Sequence, residues 1–195
     1  MESNFFAMLS RMKFIERWAL MRNSRQENIS EHSLEVSILA HALAIISNER
    51  LGNKLNAEKV ALFGIFHDAT EIITGDMPTP IKYFNRKIQG AFKEVEQAAA
   101  DRLLKLLPED LRSYYENSFL PREEDAFLWK LVKAADKLSA LVKCIEERKA
   151  GNTEFHSAEQ SIRDQLQAME LKEIDIFMKE FLPAYDKTLD ELNRE

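Results

Sequence analysis

Cysteine is all but missing from this 195-residue chain, where Cys144 is the single one. An intrachain disulfide is thereby excluded, and a reducing compartment is the natural setting. The thiol itself is expected on an apolar helix face, because unpaired cysteine packs as a small hydrophobe. Glycine and proline are scarce too, with 5 of each, too few for the turns of a β-rich architecture. No long basic run occurs, and the net charge is -6. A nucleic-acid polymer is therefore not an expected partner, since backbone phosphates demand a clustered positive face. A small anion is not excluded, because a cation and one or two arginines could balance it. The longest apolar run, residues 38–46, contains His41 and falls far short of the ~20 residues of a membrane span. At the N-terminus, Arg11, Lys13, Glu16 and Arg17 intervene before any signal-length stretch develops. The expectations are no membrane association and a cytoplasmic location.

What is present is globular composition, 45% hydrophobic and 31% charged. No repeat or linker interrupts residues 1–195, so a single domain is expected. Apolar periodicity predicts a first helix over residues 5–15 and a second over 30–50. Asn28 and Ser30 are candidate N-caps for the second, Glu31 completes a capping box with Asn28, and Gly52 suits the position after its end. Leu34, Ile38, His41, Ala42 and Ile45 form an apolar stripe that Val36, Leu39 and Leu43 widen. That helix is expected at the centre, with His41 in the core. A third helix, capped by Asn56, is expected to reach Ile73 and stop at Thr74-Gly75. The loop Asp76-Met77-Pro78-Thr79-Pro80 should be stiff, because its two prolines fix φ and restrict their predecessors. Further helices are expected over 85–107, 109–116, 123–150, 153–169 and 171–192, the last kinked at Pro183. The sum is an all-α bundle with short connections.

The chemistry-bearing residues stand out against this apolar pattern. On a continuous third helix, His67 aligns with Val60, Phe63, Gly64 and Glu71, and Asp68 with Ala61, Gly64, Ile65 and Ile72. Ionisable groups along an apolar helix are costly unless something offsets them, and a metal ion is one economical way. Gly64, one turn earlier, leaves room for a second backbone or a ligand. Asp136 shares a face with Leu128, Trp129, Val132, Ser139 and Ala140, and the bland alternative pairs it with Lys133 or Lys137. His32 lies in the first turn of the second helix, where a lone histidine reads as core or cap. Taken together, His32, His67, Asp68 and Asp136 offer imidazole nitrogen and carboxylate oxygen from three helices. That donor set suits one borderline divalent ion such as Mn²⁺, Co²⁺, Ni²⁺, Fe²⁺, Zn²⁺ or Cu²⁺. An ion of this kind acidifies water into a nucleophile competent toward phosphorus.

With its flanks the pattern resembles the HD-domain phosphohydrolases, whose His-Asp pair is His67-Asp68 here, and within them the bacterial 5′-deoxynucleotidases. The matching stretches are Arg17-Trp18 with Leu20-Met21-Arg22-Asn23, Asn28-Ile29-Ser30-Glu31-His32-Ser33, His67-Asp68-Ala69-Thr70-Glu71, the run from Thr74 to Phe84, and Lys133-Ala134-Ala135-Asp136. Met77, where related chains often carry leucine, is a mild swap. The resemblance implies a single all-α HD domain that hydrolyses deoxyribonucleoside 5′-monophosphates and selects against ribonucleotides. It implies His32, His67, Asp68 and Asp136 as metal ligands, three of which (His32, Asp68 and Asp136) also border the substrate. Arg17 is implied to orient the phosphate during catalysis, and Trp18 to crowd the sugar so that a 2′-hydroxyl does not fit. Asp76 is implied to accept from the 3′-hydroxyl, with Met77, Pro78 and Thr79 lining the sugar side. Glu71 is implied in proton transfer to or from water or the leaving 5′-oxygen, or else orients His67. A homodimer is implied as well, with apolar positions of the last helices as the candidate interface. Two rival readings keep part of this picture: a phosphohydrolase for another nucleotide (triphosphate, cyclic or guanosine tetraphosphate), and a non-catalytic nucleotide-binding module.

Overall fold

Polar caps decide where the helices begin. In the computed structural model, which describes residues 2–82 and 84–194, the Asn28 side chain accepts from Ser30 N–H and Glu31 N–H. The Glu31 carboxylate accepts Asn28 N–H in return, completing the expected capping box, a motif whose cap residue contributes about 1 kcal/mol. In chain order the helices are α1 (Phe5–Leu9), α2 (Ile29–Leu51), α3 (Ala57–Phe66), α4 (Glu71–Thr74), α5 (Thr79–Lys82), α6 (Arg86–Leu104), α7 (Glu109–Phe119), α8 (Ala126–Lys149), α9 (His156–Ala168), α10 (Lys172–Glu180) and α11 (Leu189–Leu192). Short 3-10 turns join several of them. Among the described residues no strand forms, and an isolated antiparallel bridge pairs Glu16 with Asn28. The all-α expectation holds; Tyr83, within one of the matching stretches, lies outside the described residues.

Helix α2 is the centre of the bundle, packed by α3, α8 and α10. Its buried face is Val36, Leu39, Ala40, Leu43 and Ile46, which meets Val60 and Phe63 of α3 and Leu131, Ala135, Leu138 and Val142 of α8. A second cluster gathers Phe5, Met12, Ile29, Ala69, Leu103 and Phe119 around the N-terminal segment. Gly64 marks the closest approach of α3 to α2: a Cβ there would stand 2.7 Å from Ser37 Cα. The space left by its missing side chain is used by another backbone.

Several expectations are corrected. The stripe Leu34, Ile38, His41 and Ile45 faces outward, with Leu34 and Ile38 each 61% exposed, so His41 is not a core residue. α2 is apolar around most of its circumference, and period alone could not say which side meets α3 and α8. By length and composition α2 also qualifies as a membrane span, with mean hydropathy 1.3, but 56% of that window is buried inside the bundle. Its apolarity is that of a central core helix. The third helix does not reach Ile73; it ends at Phe66. Ala69 N–H bonds to Phe66 O and Glu71 N–H to Asp68 O, three-residue turns that displace the four-residue ladder. The first helix turns 3-10 after Leu9. The last expected helix breaks where a kink was anticipated, giving α10, a 3-10 turn over Leu182–Asp186 containing Pro183, and α11.

Candidate metal centre and active site

The break after α3 places His67 and Asp68 in a tight turn beneath the start of α2 and the middle of α8. His32 Nε2, His67 Nε2 and an Asp68 oxygen lie within 4.8 Å of one another. Asp68 Oδ2 is 3.1 Å from His67 Nε2 and 3.5 Å from His32 Nε2, and Asp136 Oδ1 adjoins the group 3.2 Å from His32 Nε2. The four residues singled out as ligands therefore do come together. Asp136 pairs with neither neighbouring lysine: Lys133 is exposed, and Lys137 donates to Gln165 Oε1 at 2.6 Å.

Both ring orientations are set from behind. His67 Nδ1 lies 2.8 Å from Gly64 O, which can only accept, so Nδ1 carries the hydrogen. His32 Nδ1 lies 3.0 Å from Ser139 Oγ, whose own hydrogen goes to Glu35 Oε2 at 2.6 Å; Ser139 thus accepts from His32. In each ring the Nε2 edge faces the common centre. Both Nε2 atoms are buried without a hydrogen-bond partner, the carboxylates standing near but out of line. Orphaned buried nitrogens are costly, and two of them converging on carboxylates fit a divalent cation. The copper-to-manganese range of candidates all accept this donor set.

Electrostatics follow the same geometry. Burial would lift Asp68, yet the histidines, His67 foremost, hold it well below the usual carboxylate range. Burial likewise opposes ionisation of Asp136, but His32 outweighs it and keeps the carboxyl at about 2. His67 is raised despite its burial, because Asp68 lies against it. Glu71 goes the other way. Burial, then the negative charges of Asp68 and Asp76, push it up to about 10 against the opposing Lys82 and Arg17. Its Oε2 is buried and unpartnered.

A cavity of about 560 Å³ opens beside this centre. Arg17, Trp18, Asp68, Glu71, Asp76, Met77, Pro78, Thr79 and Asp136 all line it, so every pocket-facing residue named from the sequence is present; His32 and His67 form the buried floor behind them. Gly75, at φ 73°, turns the chain out of α4 and carries Asp76 to the rim. Burial raises Asp76 from its ordinary value, against the pull of Arg17. Arg17 Nη2 reaches to 4.0 Å from Asp136 Oδ1. Trp18 packs its ring 5.3 Å from that of fully buried Phe155.

Sequence reasoning missed the supporting residues. Ser139 had a signal, since it lies three positions after Asp136 on the same helix face; Glu35 and Glu27 had none. The wall from α9, with Ala158, Ser161, Ile162 and Gln165, also went unseen, because nothing local marks a helix as facing a cavity.

The helical frame is shared with solved HD-domain phosphohydrolases. An HD-domain phosphohydrolase from Listeria innocua superposes with TM-score 0.80 at 24% identity, covering 93% of this chain and 88% of that one. A cyanophage S-2L HD phosphohydrolase (DatZ), bound to dA and one catalytic Zn²⁺ ion, superposes with TM-score 0.65 at 21% identity over 93% and 96% of the two chains. The sequence is more specific. Residues 4–185 match the model of the YfbR-like 5′-deoxynucleotidases, and this chain belongs to that family. A 5′-deoxynucleotidase of Erwinia tasmaniensis is 46% identical over 99% of this chain and 98% of the relative. The 5′-deoxynucleotidase YfbR of Escherichia coli ATCC 8739 is 45% identical over 100% and 98%.

Proposed function

We propose that this chain is a divalent-metal-dependent 5′-deoxynucleotidase, converting a deoxyribonucleoside 5′-monophosphate and water into deoxynucleoside and inorganic phosphate and turning away ribonucleotides. One observation carries it. Two buried imidazole lone pairs and the Asp68 carboxylate converge at the floor of a cavity whose wall presents a guanidinium and an indole. Family membership supplies the substrate class.

His32, His67, Asp68 and Asp136 would hold the metal, with Co²⁺ or Mn²⁺ the first candidates and Ni²⁺, Fe²⁺, Zn²⁺ and Cu²⁺ compatible with the same donors. The cation supplies Lewis acidity toward phosphoryl oxygen and toward water. Arg17 binds the phosphate through its planar donor fork, next to His32, Asp68 and Asp136. Trp18 fills the space a 2′-hydroxyl would need. Steric obstruction suits this task, since a pocket that merely fails to pair an added hydroxyl discriminates by only about 10². Asp76 accepts from the 3′-hydroxyl, and Met77, Pro78 and Thr79 wall the sugar side. As water oxygen bonds to phosphorus and the P–O5′ bond breaks, the 5′-oxygen needs a proton. Glu71, whose buried Oε2 has no partner, would deliver it and regain a proton from the attacking water, a contribution of about 10²–10⁴ in rate.

A cytoplasmic location accords with the lone, buried Cys144, whose thiol burial pushes up to about 12. A second copy of the chain is the expected partner. Ile174, Phe177 and Leu182 near the C-terminus are committed to the intrachain core, but Phe181, Leu189 and Leu192 of the same region stay exposed, and the outward face of α2, with Leu34, Ile38 and Ile45, offers a second apolar surface.

Protein stripped by chelator and reloaded with Co²⁺ or Mn²⁺ should release phosphate from dAMP and far less from AMP. Trp18→Ala should raise AMP turnover toward that of dAMP. Equal rates on both sugars in the unaltered protein would end the role given to Trp18, and absence of metal-dependent release would end the whole assignment.

A further inference from the structure

Glu27 belongs to no motif, and its place in the fold is unusual. Residues 15–17 and 27–29 run antiparallel: Arg17 N–H donates to Glu27 O at 2.9 Å, and Ile29 N–H to Ile15 O at 2.9 Å. The Glu27 carboxylate is thereby laid against residues 17 and 18. A single oxygen, Oε2, accepts from Arg17 Nη1 at 2.6 Å and from Trp18 Nε1 at 3.0 Å. Both charged partners are largely buried, 12% exposed for the Arg17 side chain and 13% for Glu27. The carboxylate takes one end of the guanidinium, and Nη2 at the other end points toward Asp136 and the cavity. Trp18 moreover sits at φ 60°, a left-handed backbone that bulky residues rarely adopt. Such a conformation persists only where its surroundings over-determine it, and Glu27 Oε2 on one side with Phe155 on the other do so.

We propose that Glu27 is a positioning residue that locks Arg17 and Trp18 into one unit, so that phosphate orientation and sugar selection are set by the same carboxylate. The proposal rests on the roles given to Arg17 and Trp18 above. An isolated arginine beside a cation-binding floor would be repelled by the metal; the Glu27 charge offsets that repulsion. An unanchored indole would leave its strained backbone conformation and free the space it fills. Loss of Glu27 therefore acts on both readers together, although Glu27 itself need not touch substrate.

The test uses full-length protein labelled with 5-fluorotryptophan. There are 2 tryptophans, so ¹⁹F NMR gives one resonance each for Trp18 and Trp129, assigned with Trp18→Phe. Glu27→Gln keeps size and one acceptor oxygen and should fold; Glu27→Ala removes the clamp. Both should shift or broaden the Trp18 resonance and leave that of Trp129 in place, with metal affinity unchanged. In the loaded enzyme, Glu27→Ala should lower kcat/KM on dAMP by about 10²-fold, the cost of a misplaced catalytic geometry. It should also shrink the preference for dAMP over AMP, and Glu27→Gln should fall between. A Trp18 resonance indifferent to both substitutions, or an unaltered sugar preference in a variant with a shifted resonance and Trp18→Ala already shown to matter, would overturn the proposal. A shifted resonance with sugar preference unmoved in both Glu27→Ala and Trp18→Ala would instead remove the sugar role of Trp18 and leave the Glu27 clamp standing.

Discussion

At the scale of single residues, the chemistry depends on which nitrogen of each imidazole carries hydrogen. Gly64 O and Ser139 Oγ decide that from behind the rings, leaving both Nε2 lone pairs facing the common centre where the proposed metal would sit. The two supports differ in kind. A backbone carbonyl cannot be mutated away, whereas the Ser139 hydroxyl, braced by Glu35, can. Ser139→Ala removes the acceptor for His32 Nδ1 and frees the ring to turn. Metal affinity should fall by about 10–100-fold, as for other groups that orient a metal-binding histidine. Titration of the stripped protein against a coloured chelator reads this directly, and circular dichroism should be unaltered. Undiminished affinity would show that packing alone holds His32.

At the scale of elements, the loop over residues 15–28, between the first 3-10 turn and α2, is the most consequential connection. It carries Arg17 and Trp18, and α8 pins its far end. Glu147 accepts Ser24 N–H at 2.8 Å and Arg25 N–H at 3.3 Å, and its i-4 neighbour Lys143 donates both to it and to Arg25 O. Asn152 Nδ2 adds bonds to Arg22 O and to Glu147. Burial opposes ionisation of Glu147, but Lys143 and Asn152 hold it down to about 2. Glu147→Ala would strand the ammonium of Lys143 in the core and release the loop. A loss of about 3–5 kcal/mol is expected, the usual cost of breaking a buried pair from one side. Urea unfolding measures it, and a change within 0.5 kcal/mol, typical of neutral surface sites, would mean that the loop is held by other contacts.

At the scale of the whole molecule, α2 serves two surfaces at once. One face builds the core and delivers His32 to the candidate metal centre; the opposite face presents Leu34, Ile38 and Ile45 to the outside. Exposed apolar stripes of this kind mark association sites, and the expected occupant is a second copy. Ile38→Asp should shift the sedimentation profile from dimer toward monomer while leaving the fold intact. A monomeric unaltered protein would dispose of this interface.

The amino-acid order alone was enough for the helical class and for the capping box of α2, which rest on local rules: periodicity and cap hydrogen bonds. His32, His67, Asp68 and Asp136 drew notice as ionisable groups in an apolar setting, but only the family resemblance of their flanks grouped them, and the fold does bring them together. Sequence reasoning misjudged the face of α2 that turns inward, because a helix apolar all round has no single face for periodicity to find. It ran α3 straight through His67, because the tight turn there is held by tertiary packing of Ala69 and Glu71 rather than by any helix breaker. The roles of Glu27 and Glu35 were out of reach, and Ser139 offered no more than a shared helix face with Asp136. A carboxylate or hydroxyl acquires such a role only when folding brings it within hydrogen-bond distance of a distant donor, and that distance exists in three dimensions alone.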